Sequence, residues 1–278
     1  MRQTSIKGMV DYHLHTPLCG HAGGTMREYV QAAVARGLSE IGFADHLPLL
    51  TRRDPSLTMS QEELPLYIEE IESLRKEFPE ISIRAGIEAD FFPALVEETA
   101  ALIERYPFDY VIGSVHFLDG WGFDDPRGRA GYEGRRPLDV YEEYFETLIG
   151  AAESRLFDVI AHPDLIKKYD YRADGDVSHL YERAAKAIAE SGAAVEINTA
   201  GLRKPIGEIY PVLEFLVLCR ESGAPVAFGS DAHAPQDVGR DFEAALKLAR
   251  DAGYSRMAKF SSRRIELIDI PFGGETNE

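Results

Sequence analysis

The chain has 278 residues, 45% of them hydrophobic, enough for one large domain or two small ones. Its 47 acidic and 30 basic side chains leave a net charge of −17, which repels nucleic acid and anionic membranes and makes both poor partners. Cys19 and Cys219 lie far apart and outside any CxxC pattern, so no disulfide framework is implied and a reducing, cytoplasmic setting is expected.

The start of the chain lacks the apolar run of a signal peptide, and no stretch approaches the roughly 20 apolar residues that span a bilayer. Short apolar runs then alternate with longer amphipathic ones. Strands are expected at 9–15, 40–45, 81–89, 110–116, 158–162, 194–198 and 226–230. Helices are expected between and after them at 25–36, 61–78, 93–105, 139–155, 178–191, 208–222 and 238–252. The first helix opens with Thr25-x-x-Glu28, a capping-box pattern, and stops at Gly37, suited to the left-handed residue that follows a helix.

Repeated βα units argue for an α/β fold with a parallel sheet covered by helices. A seven-stranded (βα)7 TIM-like barrel is the economical closure, and a doubly wound open sheet is the alternative. No linker or composition shift interrupts residues 1–270, which read as a single domain, with 271–278 as a disordered tail. The longest irregular stretch, 118–137, has the length of a lid, a binding loop or a disordered segment. Nothing in the sequence fixes an oligomeric state.

The histidines fall in a pattern. His13, His15, His46, His116, His162 and His233 sit at or just past expected strand C-termini, and His21 lies in the loop after the first strand. In a parallel barrel those ends share one face, so all seven should meet in one mouth. Glu88, Asp231 and Asp45 join them at the same level. Imidazoles with carboxylates, and no clustered thiolates, suit Zn, Mn or Fe. His13 and His15, at i and i+2 of a strand, point to one face and can hold one ion together. A single strand-end histidine is more often a hydrogen-bonded structural residue, but seven at equivalent ends point to a shared metal site. Asp45 reads as an orienter of a neighbouring histidine. His179 reads as a solvated helix-start residue and Cys19 as a small packed one.

HLH at 13–15, His21, ADH at 44–46, Glu88, SVH at 114–116, AHPD at 161–164 and SDAH at 230–233 together resemble the PHP (polymerase and histidinol phosphatase) superfamily. The resemblance implies a distorted seven-stranded barrel holding two to three divalent ions. It implies that His13, His15, Glu88 and Asp231 hold the first. Glu88, His116 and His162 would hold the second, and His21, His46 and His233 the third.

Three stretches, HTPLCGHA (15–22), GSVHFLDGWGFD (113–124) and EINTAGLRKPIGEIYP (196–211), are similar to the monofunctional histidinol-phosphate phosphatases. The implied activity is hydrolysis of a small phosphate monoester, L-histidinol phosphate, to L-histidinol and phosphate in histidine biosynthesis.

The last stretch places Arg203 and Lys204 just past the sixth strand, where cations suit a phosphate dianion. Lys167, with Lys168, is a weaker candidate for the same task. Glu88, Asp231 and His233 are the catalytic candidates. Metal coordination lowers the pKa of water, so a hydroxide bridging the first two ions is the expected nucleophile. Asp231 or a metal-bound water could assist the leaving alkoxide. Phe117, Trp121 and Phe123 could cover the substrate or simply pack the long loop onto the barrel. A PHP esterase acting on nucleotides or phosphotyrosine, a non-catalytic metal-binding module, and an amidohydrolase barrel stand as alternatives.

Overall fold

Runs such as VDYHL and AVEIN are rich in residues that suit a strand buried on both faces. In the computed structural model, which describes residues 6–272, seven such runs pair side by side. They are β1 (Val10–Leu14), β2 (Glu40–Phe43), β3 (Ser82–Asp90), β4 (Tyr110–Ser114), β7 (Val159–Ile160), β8 (Ala194–Asn198) and β9 (Val226–Gly229). All pairings are parallel, in the order β1-β2-β3-β4-β7-β8-β9. Just past β9 the Ala232 amide donates to His13 O (3.1 Å) and the His15 amide to Ala232 O (3.0 Å), which closes the ring at its mouth. The fold is a nearly closed, distorted seven-stranded βα barrel, and the open-sheet alternative falls.

The connecting helices are α1 (Met26–Arg36), α2 (Leu64–Glu77), α3 (Val96–Ile103), α4 (Pro137–Glu153), α5 (Ser178–Ser191), α6 (Leu213–Ser222) and α7 (Phe242–Asp251). At α1 both halves of the Thr25/Glu28 capping box form, and Gly37 takes the left-handed conformation at the end. Helix α6 starts five residues later than expected, because Tyr210 pairs its backbone with Asn198 in both directions (2.7 and 3.0 Å) and cannot also be helical.

The loop after β4 is not featureless. It contains a small hairpin, β5 (Phe117–Leu118) with β6 (Trp121–Gly122), and a 3₁₀ turn over Pro126–Tyr132. Trp121 packs edge-on against Tyr132 (4.7 Å between centroids) and its indole donates to Gly128 O (2.7 Å), while Phe123 is fully buried against Tyr144. Trp121 thus packs the loop against itself and Phe123 fastens it to α4; Phe117 alone of the three lines the cavity above the barrel.

The barrel floor is aromatic. Gly42 and Gly86 make room for Tyr110: a Cβ at either position would lie within 2.3 Å of its ring or hydroxyl. The Tyr110 hydroxyl donates to Tyr12 O (2.6 Å) across the interior. A C-terminal hairpin, β10 (Arg256–Ser261) and β11 (Arg264–Asp269), then stoppers the N-terminal end of the barrel. Its Phe260 ring meets Tyr12 at 5.1 Å and Tyr110 at 5.4 Å. Beyond it, Phe272 lies under the Arg250 guanidinium (4.7 Å), so the supposed tail begins packed; residues 273–278 lie outside the described residues. No helix among the described residues is long and apolar enough to cross a membrane.

Candidate active site

The strand C-termini converge as parallel closure requires. Glu88, on β3, sits at the centre with its carboxylate fully buried. Its Oε2 faces His46 Nδ1 (3.0 Å), His13 Nε2 (3.4 Å) and His15 Nε2 (3.6 Å). Its Oε1 faces His162 Nε2 (3.2 Å) and His116 Nε2 (3.7 Å), and accepts from the Ser114 hydroxyl. Asp231 Oδ1 approaches His15 Nε2 (3.2 Å) and His233 Nδ1 (3.3 Å). The His15 and His233 rings stack at 4.0 Å, and His21 lies 4.9 Å from His233 and 5.4 Å from His46. The structure thus brings together all nine residues expected as ligands.

Backbone strain aims two of them. His162 and Asp231 both take positive φ (26° and 52°), a region uncommon for non-glycine residues.

A second layer fixes the ring orientations. His13 Nδ1 contacts Glu196 Oε1 (2.7 Å), His116 Nδ1 contacts Asp90 Oδ1 (2.9 Å) and His15 Nδ1 contacts Asp45 Oδ1 (3.4 Å). Each leaves Nε2 facing the centre. Asp45 also accepts from the His46 amide (2.8 Å), which matches its expected orienting role. Glu196 and Asp90 were not singled out from the sequence. Parity was the available signal: Asp90 is two residues past Glu88 on β3, and Glu196 is two before Asn198 on β8. Gly229 makes space for Glu196, since a Cβ there would sit 2.0 Å from Glu196 Oε1.

The electrostatics are tightly coupled. Burial disfavours charge on His13 and His15. Glu196 and Glu88 around the first, and Asp231 and Asp45 around the second, outweigh burial and hold both well above the usual imidazole range. Burial likewise opposes ionisation of Glu88 and Asp231, yet the imidazoles beside them (His13 and His46; His13, His15 and His233) hold both carboxyls well below the usual range. Burial and neighbouring imidazoles push His21 and His233 down.

The donor set fits divalent metal. His13 Nε2 and Glu88 Oε2 are buried with no hydrogen-bond partner, though they face each other. One cation satisfies both at once, and an all-N/O set suits Zn, Mn or Fe. His13, His15 and Glu88 form one compact group, His21, His46 and His233 another, and His46, Glu88 and His116 a third. Cys19, buried with its thiol on Thr16 O (3.1 Å), also lies within reach of His15 and His233.

Above this floor opens a cavity of about 780 Å³. Arg203, Lys204 and Lys168 line it. Arg203 is braced by Ser230 O (2.6 Å) and Asp241 (3.4 Å). Burial, with Lys168 and Arg203 nearby, pushes Lys204 down. Lys168 is held by Asp124 (3.1 Å) from the long loop. Lys167 is a correction: its ammonium is buried between Asp164 (2.8 Å), Glu208 (3.3 Å) and Ile209 O (3.1 Å) and does not reach the cavity. Lysine parity past β7 is set by a 3₁₀ turn over Leu165–Lys167 that the sequence did not announce. His179 is exposed on α5, away from the site.

A parallel barrel with imidazoles and carboxylates gathered at its strand ends defines a class, the βα-barrel metallohydrolases. The PHP domain profile matches residues 11–200. A probable histidinol-phosphatase of Deinococcus radiodurans is 44% identical, covering 94% of this chain and 100% of that one. The histidinol-phosphatase of Bacillus subtilis is 32% identical over 85% of this chain and 98% of its own. Among solved structures, the histidinol phosphate phosphatase of Lactococcus lactis, complexed with zinc, L-histidinol and phosphate, matches with a TM-score of 0.81 at 25% identity, covering 93% of this chain and 99% of that one. This chain belongs to the PHP family, in its histidinol-phosphatase branch.

Proposed function

We infer that the chain is a metal-dependent phosphomonoesterase that hydrolyses L-histidinol phosphate to L-histidinol and phosphate, in histidine biosynthesis. One observation carries the reading: the cavity joins a floor of metal-type donors to a wall of cations in a chain of net charge −17. That combination suits a small phosphate ester. A long polyanion would meet repulsion from a chain of net charge −17.

His13, His15, Glu88 and Asp231 would hold one ion, Glu88, His116 and His162 a second, and His21, His46 and His233 a third, with Zn, Mn or Fe as the metal. Divalent ions there polarise phosphoryl oxygens and lower the pKa of water toward neutrality. The chain's own groups do the rest. Arg203 and Lys204 grip the phosphate dianion, and the guanidinium can do so bidentately. Lys168 adds charge to the same wall while anchored on Asp124. Glu88 and Asp231 are carboxylates positioned to orient the attacking water and accept its proton, with His233 beside Asp231. Phe117, at the rim, shields the reacting centre from bulk water. The two free, buried cysteines agree with a cytoplasmic setting.

The reading is tested by steady-state phosphate release from L-histidinol phosphate, p-nitrophenyl phosphate and a nucleoside monophosphate. The expected result is a kcat/KM for histidinol phosphate at least 100-fold above the others. Equal or higher values for the nucleotide would move the chain to another branch of PHP esterases.

A further inference from the structure

Tyr210 is 1% exposed, and its ring edge faces the His162 imidazole at 6.4 Å between centroids. It also lines the cavity. Among the described residues it carries the one buried, cavity-lining hydroxyl without a hydrogen-bond partner. A buried hydroxyl left unpaired costs ~1–3 kcal/mol, so a structure that keeps one on a residue of a ligand cavity's wall has a use for it.

The placement is built. The Tyr210 backbone is pinned to Asn198 by two hydrogen bonds. Gly201 leaves room for the ring and the returning chain, because a Cβ there would come 2.9 Å from Tyr210 Cε2 and 2.0 Å from Glu208 O. Lys167, which does not reach the cavity, sits over the ring at 5.4 Å. Ring and backbone are thus held from three sides, and only the hydroxyl is uncommitted. A tyrosine hydroxyl is a neutral donor near neutral pH.

The cavity's cations are Arg203, Lys204, Lys168 and Arg127, and its other hydroxyls are engaged: Tyr169 donates to Asp124 O (2.7 Å), Ser56 to Asp54 Oδ1 (2.6 Å), and Thr58 accepts from the Leu49 amide (3.4 Å). Cations suit the phosphate's non-bridging oxygens, which carry full charge throughout. A neutral donor suits the oxygen whose charge develops only as the ester bond breaks. Resting on the phosphomonoesterase reading above, we propose that Tyr210 is a catalytic residue whose hydroxyl donates to the leaving ester oxygen of the substrate.

In the step, the water oxygen bonds to phosphorus and the P–O ester bond breaks, its electron pair leaving on the alcohol oxygen. One water proton stays on the phosphate and the other ends on the alcohol. The Tyr210 hydroxyl disperses the charge on that alcohol oxygen during cleavage and keeps its own proton over the cycle.

Such a role has a leaving-group signature. Tyr210→Phe keeps the ring and its packing. It should lower kcat for histidinol phosphate, a poor alkoxide leaving group, by about 100-fold, as loss of a transition-state donor does. For p-nitrophenyl phosphate, whose phenolate needs little help, the loss should be no more than a few-fold. Zinc content, melting temperature and the inhibition constant of inorganic phosphate should match wild type. Equal losses on both esters, a weakened phosphate inhibition constant, or no loss at all would each overturn the assignment. Wild-type protein that leaves histidinol phosphate untouched contradicts the functional reading itself, and this proposal with it.

Discussion

At the scale of single residues, one carboxylate organises the site. Glu88 faces imidazoles from four other segments of the barrel, and only a nearly closed ring can bring them to it. Eight of the nine expected ligands were legible because they sit at or just past a strand end, where position in the chain translates into position in the mouth, and His21 because it lies in the loop that follows one. The orienting residues Glu196 and Asp90 were less legible, since a buried acid on a strand reads the same whether it serves a histidine or a backbone amide. Lys167 was misplaced for a related reason: two adjacent lysines cannot be assigned to inside and outside until the turn that carries them is known. Arg203, by contrast, lines the cavity. Arg203→Ala should raise KM for histidinol phosphate roughly 10- to 100-fold, the equivalent of about 1.5–3 kcal/mol for a charge-assisted hydrogen bond. Metal content should stay unchanged. Measured loss of zinc in the variant would show that Arg203 supports the fold of the mouth rather than the phosphate.

At the scale of elements, the barrel strands announced themselves and the hairpins did not. Strand apolarity is continuous in runs such as YVIGS and VAFG, so existence and order could be read directly. The turn between β10 and β11 places Ser262 and Arg263 at positive φ (50° and 63°), without the Asn or Gly that usually marks such a turn. Tertiary contacts supply what local sequence lacks: the two amides donate to Asp109 Oδ1 (3.2 Å) and Asp109 O (2.8 Å), and Arg263 pairs with Asp158. The hairpin's task is to seal the floor with Phe260. Phe260→Ala should cost about 3–5 kcal/mol, as large aromatic truncations in cores do. Chemical denaturation would show the loss, while kcat at 25 °C stays near wild type because the hairpin lies at the opposite end of the barrel from the cavity. A stability change under 1 kcal/mol would mean the hairpin is an ornament on a barrel that closes without it.

At the scale of the whole molecule, charge and chemistry separate. The net charge of −17 keeps the exterior hostile to polyanions, while Arg203, Lys204, Lys168 and the metal-type floor make one concave region suited to a small dianion. Composition alone could not show this, because a sum over the chain hides a local reversal; only the strand-end register of the cations exposed it. On the proposed reading this cavity hydrolyses histidinol phosphate and needs divalent metal to do so. The measurement that tests it most directly is phosphate release from L-histidinol phosphate by chelator-stripped protein, before and after zinc is returned. Negligible release from the stripped protein and recovery that tracks bound zinc are the expected results. Full turnover by the stripped protein, or none by the reloaded one, would contradict the reading.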